Sequence, residues 1–525
     1  MKERSEAERL LEWEASDEMI LFRDRCPPMR CTAGKFPSGT HTIKLSRDFD
    51  LRLVLSVDGT PVGDGEEYKD VAHLLTLKPG TFVGYEETNI SFPTSSCIVL
   101  MSPPMQMEHV SEGPMHVFRR RHHVASATQQ WTQYGNFAPG GRHGFVPLGE
   151  PEWTSDWFVN GTSEDIFPLT TERTHATTFQ RRRDVSEIVI EDKGYAGDGM
   201  ARDRVVVRTE SLTFSICRVH SQHAPAALRP IALEFHQPIP DANTREAIAE
   251  IVSFAMGRRL MRVGSTTFDA RGAPVVAEVV APIGRGILQL CAVQEHRPVY
   301  LERDEVLGAF GDVLSMLVPA YLANRDEFEL SDALWSYWTA IETPDGVNLT
   351  LFSAAVETIK AAWFLSPRST SKGVNMEETE FAELRARLIC SVEKDLKERP
   401  RGDRVVNRLS NAFFMSTNEK HEAFFEELGL KIGENEQAAI DARNGQTHRG
   451  VKRSGDARKA SEHAVAYRTL FERVFLRILG YEGLYVDHTT LGWPGRSIGV
   501  AAGEEKVAER KPEPRARRRG VPKLT

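Results

Sequence analysis

The sequence predicts an α+β chain: a β-rich N-terminal region over residues 1–301, a connecting helix over 302–330, an all-α helical bundle over 331–492 and a disordered basic tail over 493–525. Three observations carry that expectation. Period-two alternation dominates up to about residue 240, helical spacing dominates after about residue 302, and apolar residues almost vanish at the end. With 525 residues, 41% hydrophobic and 27% charged, the chain has globular composition and the length of two or three domains.

In LRLVLSV, Leu51, Leu53, Leu55 and Val57 share one face of a strand, and in VSEIVIE the pair Ile188 and Ile190 alternates with Glu187, Val189 and Glu191. RVVVR over 204–208 and LTFSIC over 212–217 continue the pattern. Gly194-Tyr195-Ala196-Gly197-Asp198-Gly199 has the glycine content of a phosphate loop, but a strand follows it where a phosphate site needs a helix N-terminus. It reads as a hairpin turn. A helix is expected near 242–262, where Ile248, Ile251, Val252 and Ala255 repeat at helical spacing, and VGSTTFDARGAPVV returns to strand and turn with a reversal at Arg271-Gly272. The β-rich region is one domain or two small ones.

After residue 302 the helix-like stretches ERDEVLGAFGDVLSMLVPAYL, LSDALWSYWTAIE, NLTLFSAAVETIKAAWF, EFAELRARLICSVEKDL and AYRTLFERVFLRILGY succeed one another through short loops. In the last, Ala464, Tyr467, Phe471, Val474, Phe475 and Ile478 form a stripe wide enough to pack on several neighbours. From Gly503 onward proline alternates with lysine and arginine, a composition that cannot support a core.

A net charge of −8 argues against blanket adhesion to polyanions, although Arg119-Arg120-Arg121-His122-His123 and Arg181-Arg182-Arg183 are local basic stretches. Six cysteines over this length read as reduced thiols. The one close pair, Cys26 and Cys31, has no second pair to close a zinc site, so no metal and no cofactor are expected. The charged N-terminus lacks the apolar core of a secretory signal, and no stretch reaches the roughly 20 apolar residues that span a bilayer. A soluble, cytoplasmic protein without membrane contact is expected.

Four arginines are followed at five to seven positions by histidine: Arg218 with His223, Arg229 with His236, Arg443 with His448, and Arg458 with His463. The spacing alone is a poor signal, because roughly one arginine in ten would meet it by chance. The first two lie in strand context, and Arg458 opens a helix beside Glu462 in what reads as a solvated first turn. Arg443-Asn444-Gly445-Gln446-Thr447-His448 differs: asparagine follows the arginine, and the stretch sits among helices. The N-terminal histidines His122, His123, His220, His223 and His236 come without a helical metal pair, a nucleophile elbow or a phosphate loop.

At Arg443-Asn444-x-x-x-His448 the sequence resembles the HEPN ribonuclease family, whose motif is arginine, a polar residue, a short spacer and histidine. Ala355-Val356-Glu357 is similar to the part of an earlier helix that carries a glutamate in such bundles. A β-rich N-terminal region, including FAMGRRLMRVGSTTFDARGAPVV, followed by a helical unit is similar to the layout of ApeA-type HEPN proteins of bacterial anti-phage defence. The resemblance implies Arg443, His448 and Asn444 as site residues, a homodimer with a composite cleft between paired bundles, and an RNA substrate, tRNA being one candidate. It also implies abortive infection, with the N-terminal region sensing a phage-derived protein or nucleic acid. Gly445, directly after Asn444, departs from a good helix former.

The chemistry suits those residue types. RNA carries its own nucleophile, the 2′-OH, so metal-free cleavage to a 2′,3′-cyclic phosphate needs a base, an acid and positive charge on the phosphorane. Histidine transfers protons near neutral pH, and arginine offers a planar cationic fork to phosphate oxygens. Asn444 does neither and is cast as a positioning group. On one ideal helix Arg443 and His448 point roughly 140° apart. Either the helix ends near Gly445, or two copies of the motif converge across a dimer. The alternative class is a non-catalytic bundle that binds nucleotides or RNA, or that dimerises as a scaffold.

Overall fold

The computed structural model describes strands alone before residue 149. Beyond that point it describes 149–162, 166–167, 171–175, 178–182, 187–191, 199–201, 204–218, 229–270, 274–280, 296–301, 306–343, 347–374, 376–397, 404, 413–449 and 457–503. The chain divides into two compact units, residues 1–326 and 327–525. The architecture is α+β, with antiparallel sheet in the first unit and mostly helices in the second.

The first unit is built on a ten-stranded sheet. Its best-described strands are β1 (Trp153–Phe158), β2 (Arg204–Arg208), β3 (Thr213–Arg218), β4 (Ile231–His236), β5 (Arg262–Phe268) and β6 (Pro274–Val280), in the order β2-β3-β4-β1-β5-β6. Every pairing among these is antiparallel. The predicted alternation is present at the sheet's edge, where Val205 and Val207 of β2 are buried. The central β4 is buried from Ile231 to Phe235, because a mid-sheet strand has both faces covered.

Helix α1 (Ala242–Met256) forms where predicted. The Asp241 carboxylate accepts from the Thr244 amide at 2.8 Å as N-cap, and Gly257 at φ 67° ends the helix in the left-handed region. A Cβ at Gly257 would stand 2.2 Å from the His296 backbone, so glycine is required there twice over. Helix α2 (Val306–Asn324) forms within the stretch 302–330 read as a connecting helix. It packs on α1 and β2: the Ser315 hydroxyl accepts from the Arg208 amide at 3.1 Å, and the Tyr321 hydroxyl donates to Glu250 at 2.6 Å. Its apolar face gives it a place in the first unit's core, with Phe310, Leu314, Leu317 and Val318 buried.

The stretch 192–198, read as a hairpin turn, lies outside the described residues. Glu187–Glu191 and Gly199–Ala201 occupy opposite edges of a four-stranded sheet, with two strands between them. Thr178–Arg182 pairs antiparallel with the first of these.

The second unit comprises α3 (Leu330–Glu342), α4 (Asn348–Leu365), α5 (Glu378–Lys397), α6 (Thr417–Glu427), α7 (Glu434–Arg449), α8 (Ala457–Ile478) and a short hairpin of β7 (Leu484–Val486) with β8 (Gly495–Ser497). Helix α4 is the hub, packing against α3, α6, α7 and α8. Tyr337 of α3 stacks on Phe471 of α8 at 4.6 Å, and Phe352, Val356 and Ile359 of α4 are buried with them. All six residues of the predicted α8 stripe are buried.

Helix α6 is absent from the sequence expectation. Its start carries a capping box: the Ser416 hydroxyl accepts from the Glu419 amide, and the Glu419 carboxylate accepts from the Ser416 amide. The bundle also reaches past its predicted end at residue 492. β8 pairs with β7, Ile498, Ala501 and Ala502 are buried, and the Gly503 amide donates to Asp487 at 2.9 Å. The expected disordered tail therefore begins too early at 493, and 504–525 lie outside the described residues. No helix among the described residues is long and apolar enough to cross a membrane.

Candidate functional site

Helix α4 carries Ser353, Glu357 and Lys360 at helical spacing, one stripe beside its apolar face. That stripe meets α6, α7 and α8. Glu357 stands at the meeting point. Lys360 Nζ donates to Glu357 Oε2 at 2.7 Å, while His421 Nε2 of α6 lies 3.0 Å from Glu357 Oε1. Arg443 Nη2 of α7 approaches the same Oε1 at 3.6 Å. Lys360 Nζ and His421 Nε2 are themselves 3.1 Å apart.

One carboxylate thus faces a lysine, an arginine and an imidazole. Burial disfavours ionised Glu357, but hydrogen bonds from His421 and Lys360, with the charge of both, outweigh it and hold its pKa at about 2. Burial pulls Lys360 below the usual lysine range, opposed by Glu357 and assisted by the charges of Arg443 and Lys420. Burial raises the Tyr467 phenol of α8, opposed by Ser353, with Glu357 raising it and Arg443 lowering it. Positive charge exceeds negative here, which suits a phosphate approaching the Arg443 side.

The sequence-predicted residues divide into those the structure brings together and those it does not. Glu357 and Arg443 meet, although 86 positions separate them in the numbering. Helix α7 continues without a break through Asn444 and Gly445 to Arg449, so it does not end near Gly445 as one of the two routes required. On a continuous helix, positions 444 and 448 share a face and position 443 lies off it. The side chains of Asn444 and His448 lie outside the described residues.

The other arginine–histidine pairs have structural roles where they are described. Arg458 pairs with Glu462 at 2.9 Å with its guanidinium 93% exposed, the solvated first turn that was expected. Arg218 lies over the Phe167 ring, Arg229 forms an isolated bridge with Asn160, and His223 lies outside the described residues. His236 ends β4 beside Trp153. Cys217 and Cys390 form no disulfide among the described residues, while Cys26 and Cys31 lie outside them. Among the described residues no group of three or more His, Cys, Asp or Glu is placed to hold a metal ion.

Sequence reasoning missed Lys360, His421 and Tyr467. Lys360 follows Glu357 by three positions and was findable as an i,i+3 pair on a mostly apolar helix. His421 had one local signal, the capping box that starts its helix five residues earlier. Nothing local links it to Glu357.

His421 also borders an open groove of about 470 Å³ between α6 and α7, lined by Phe425, Leu430, Ile432 and Ile440, with Asn418, Glu422, Glu426, Lys431 and Gln437 at its polar edges. The imidazole stacks on the Phe425 ring at 5.9 Å and 14°. Comparison with protein-family models, with curated proteins and with solved structures finds no match.

Proposed function

We propose that the helical unit is a metal-independent endoribonuclease of the HEPN type, cleaving RNA by attack of the 2′-OH to leave a 2′,3′-cyclic phosphate. The observation that carries this reading is the cluster of Arg443, Lys360 and His421 around Glu357, with Arg443 the first residue of the Arg443-Asn444-x-x-x-His448 stretch. Arg443 stabilises charge on the phosphorane, His448 acts as the general base that takes the 2′-OH proton or the general acid that protonates the departing 5′-oxygen, its counterpart in the second copy doing the other, and Asn444 positions it. Glu357 aims the guanidinium, and a planar guanidinium suits phosphate oxygens.

An unbroken α7 points positions 443 and 448 in different directions, so two copies of the motif share the work across a homodimer. The β-rich region is the sensor of an anti-phage system of the ApeA kind, and cleavage of cellular RNA arrests the infected cell. A second reading, a non-catalytic RNA- or nucleotide-binding bundle, draws on one observation: Arg443 already faces a carboxylate.

The test compares wild type, Arg443→Ala and His448→Ala on a mixed RNA pool in EDTA. Cleavage that falls at least about 100-fold in both variants supports the nuclease, a loss typical of removing one transition-state group. Equal cleavage in all three overturns it. RNA binding without cleavage in the wild type selects the second reading.

A further inference from the structure

The groove between α6 and α7 adjoins the Glu357 cluster through His421, which is 4% exposed and touches both. Its Nε2 is occupied by Glu357 and Lys360, whereas its Nδ1 is buried and has no hydrogen-bond partner among the described residues. A buried polar atom of this kind calls for a partner. On its α7 side the groove is lined by Gln437 and Ile440, which come before the motif along the helix. At 100° per residue Gln437 and Ile440, which line it, fall with positions 444 and 448 inside a sector of about 80°. A strand of RNA with its phosphate at Arg443 would lay a neighbouring base along that sector.

The chemistry of the walls says what the base is. The floor is apolar, formed by Phe425, Leu430, Ile432 and Ile440, as a flat heterocycle requires. The rim carries Glu422 and Glu426, one turn apart on α6 and both exposed. Two carboxylates repel phosphate, so the backbone of a bound strand runs elsewhere. A carboxylate accepts hydrogen bonds and donates none. Guanine presents two adjacent donors, N1–H and the exocyclic N2–H, which one carboxylate meets with both oxygens. Adenine and cytosine set an acceptor beside their amino group, and uracil flanks its single N–H with two carbonyls, so each brings a lone pair against the carboxylate. Unpaired bases are read on this edge.

We propose that this groove is the base-selecting subsite of the RNA-cleaving site and takes an unpaired guanine, held at its Watson–Crick edge by Glu422 or Glu426. The proposal rests on the ribonuclease reading. Asn418 supplies an amide to the remaining base edge, Gln437, whose Nε2 donates to Asp441 at 3.1 Å, offers its carbonyl oxygen, and the volume of about 470 Å³ holds one nucleoside.

Two measurements on the full-length protein test it. Sequencing the ends of products from a random-sequence RNA pool should show guanine enriched about tenfold beside the cut, and Glu422→Gln with Glu426→Gln should bring that enrichment below about threefold. Tenfold is the loss expected for one charge-assisted hydrogen bond. Equilibrium titration with GMP, AMP, CMP and UMP should show GMP tightest in the wild type and no preference in the double variant. Both carboxylates are exposed, so the double variant folds, and a thermal melt confirms it. Cutting without guanine enrichment, or enrichment that survives the double variant, overturns the subsite and leaves the nuclease standing. GMP preference without any RNA cleavage upholds the subsite and overturns the nuclease; the four nucleotides binding alike overturns the subsite whatever the cleavage result.

Discussion

The bundle contains two arginine–glutamate pairs that join α7 to a neighbouring helix, and they are built differently. Arg473 of α8 pairs with Glu436 at the start of α7, and both side chains are fully buried. Its remaining donors go to the backbone carbonyls of Lys431 and Ile498. Burial pushes the Glu436 carboxyl up, and the Arg473 charge opposes it. Arg443 and Glu357, by contrast, are 3.6 Å apart and retain 23% and 28% of their exposure. The first pair has its geometry completed by the fold. The second leaves part of both groups facing water, next to His421, which lines the groove between α6 and α7. A fully buried pair serves stability, whereas a pair partly facing water stays accessible to a ligand.

The largest effect expected from this contrast is on folding. Arg473→Ala strands a buried carboxylate and should cost about 3–5 kcal/mol in urea unfolding. Arg443→Ala should cost less than about 1 kcal/mol, because its pair is partly solvated. If the two cost the same, the distinction between a closed and an open pair fails.

Acid titration sharpens the same contrast. Glu357 has a folded pKa of about 2 against an ordinary 4.5, a depressed value. Such a group contributes stability above its unfolded pKa and loses it as pH falls through the folded one. Wild-type stability should therefore fall between pH 4.5 and 2, and Glu357→Gln should make that part of the curve shallower. Glu427 and Glu472 also sit at about 2, so the slope should decrease without vanishing. An unchanged slope would mean that Lys360 and His421 do not hold the carboxylate in solution.

The smallest effect concerns how His421 is placed. Ser416→Ala removes the side-chain cap of α6 and should cost about 1 kcal/mol by thermal melt, with His421 near the loosened end. A loss under 0.3 kcal/mol would show that α6 is held by packing, through Phe424 and Phe425, more than by its cap.

Much of the fold was legible because periodicity is local. The alternation of 204–208 and 212–217, the spacing of Ile248, Ile251, Val252 and Ala255, and the α8 stripe each record which face is buried, and each element appears there. The failures share a cause. α6 has few apolar positions, Phe424 and Phe425 being adjacent, so its period is weak although its cap is strong. The stretch 493–503 carries Pro494 and three glycines and shows no strand or helix period, yet Asp487 gathers Thr489, Thr490, Arg496 and the Gly503 amide around one carboxylate and seals it onto the bundle. Helix α2 was readable as a helix but not as a member of the first unit, because its partner Glu250 lies 71 positions away from Tyr321.

The sequence by itself determined the α+β division, the helical character of the second unit, and the singling out of Arg443, Asn444 and His448 with Glu357, since residue type and local spacing are written in one dimension. Only the tertiary structure decided that α7 runs straight through Gly445, that Glu357 and Arg443 meet, and that Lys360 and His421 join them beside a groove. Those facts depend on how four helices pack around α4. Packing is settled by the summed burial of faces far apart in the chain, which no short stretch of sequence contains.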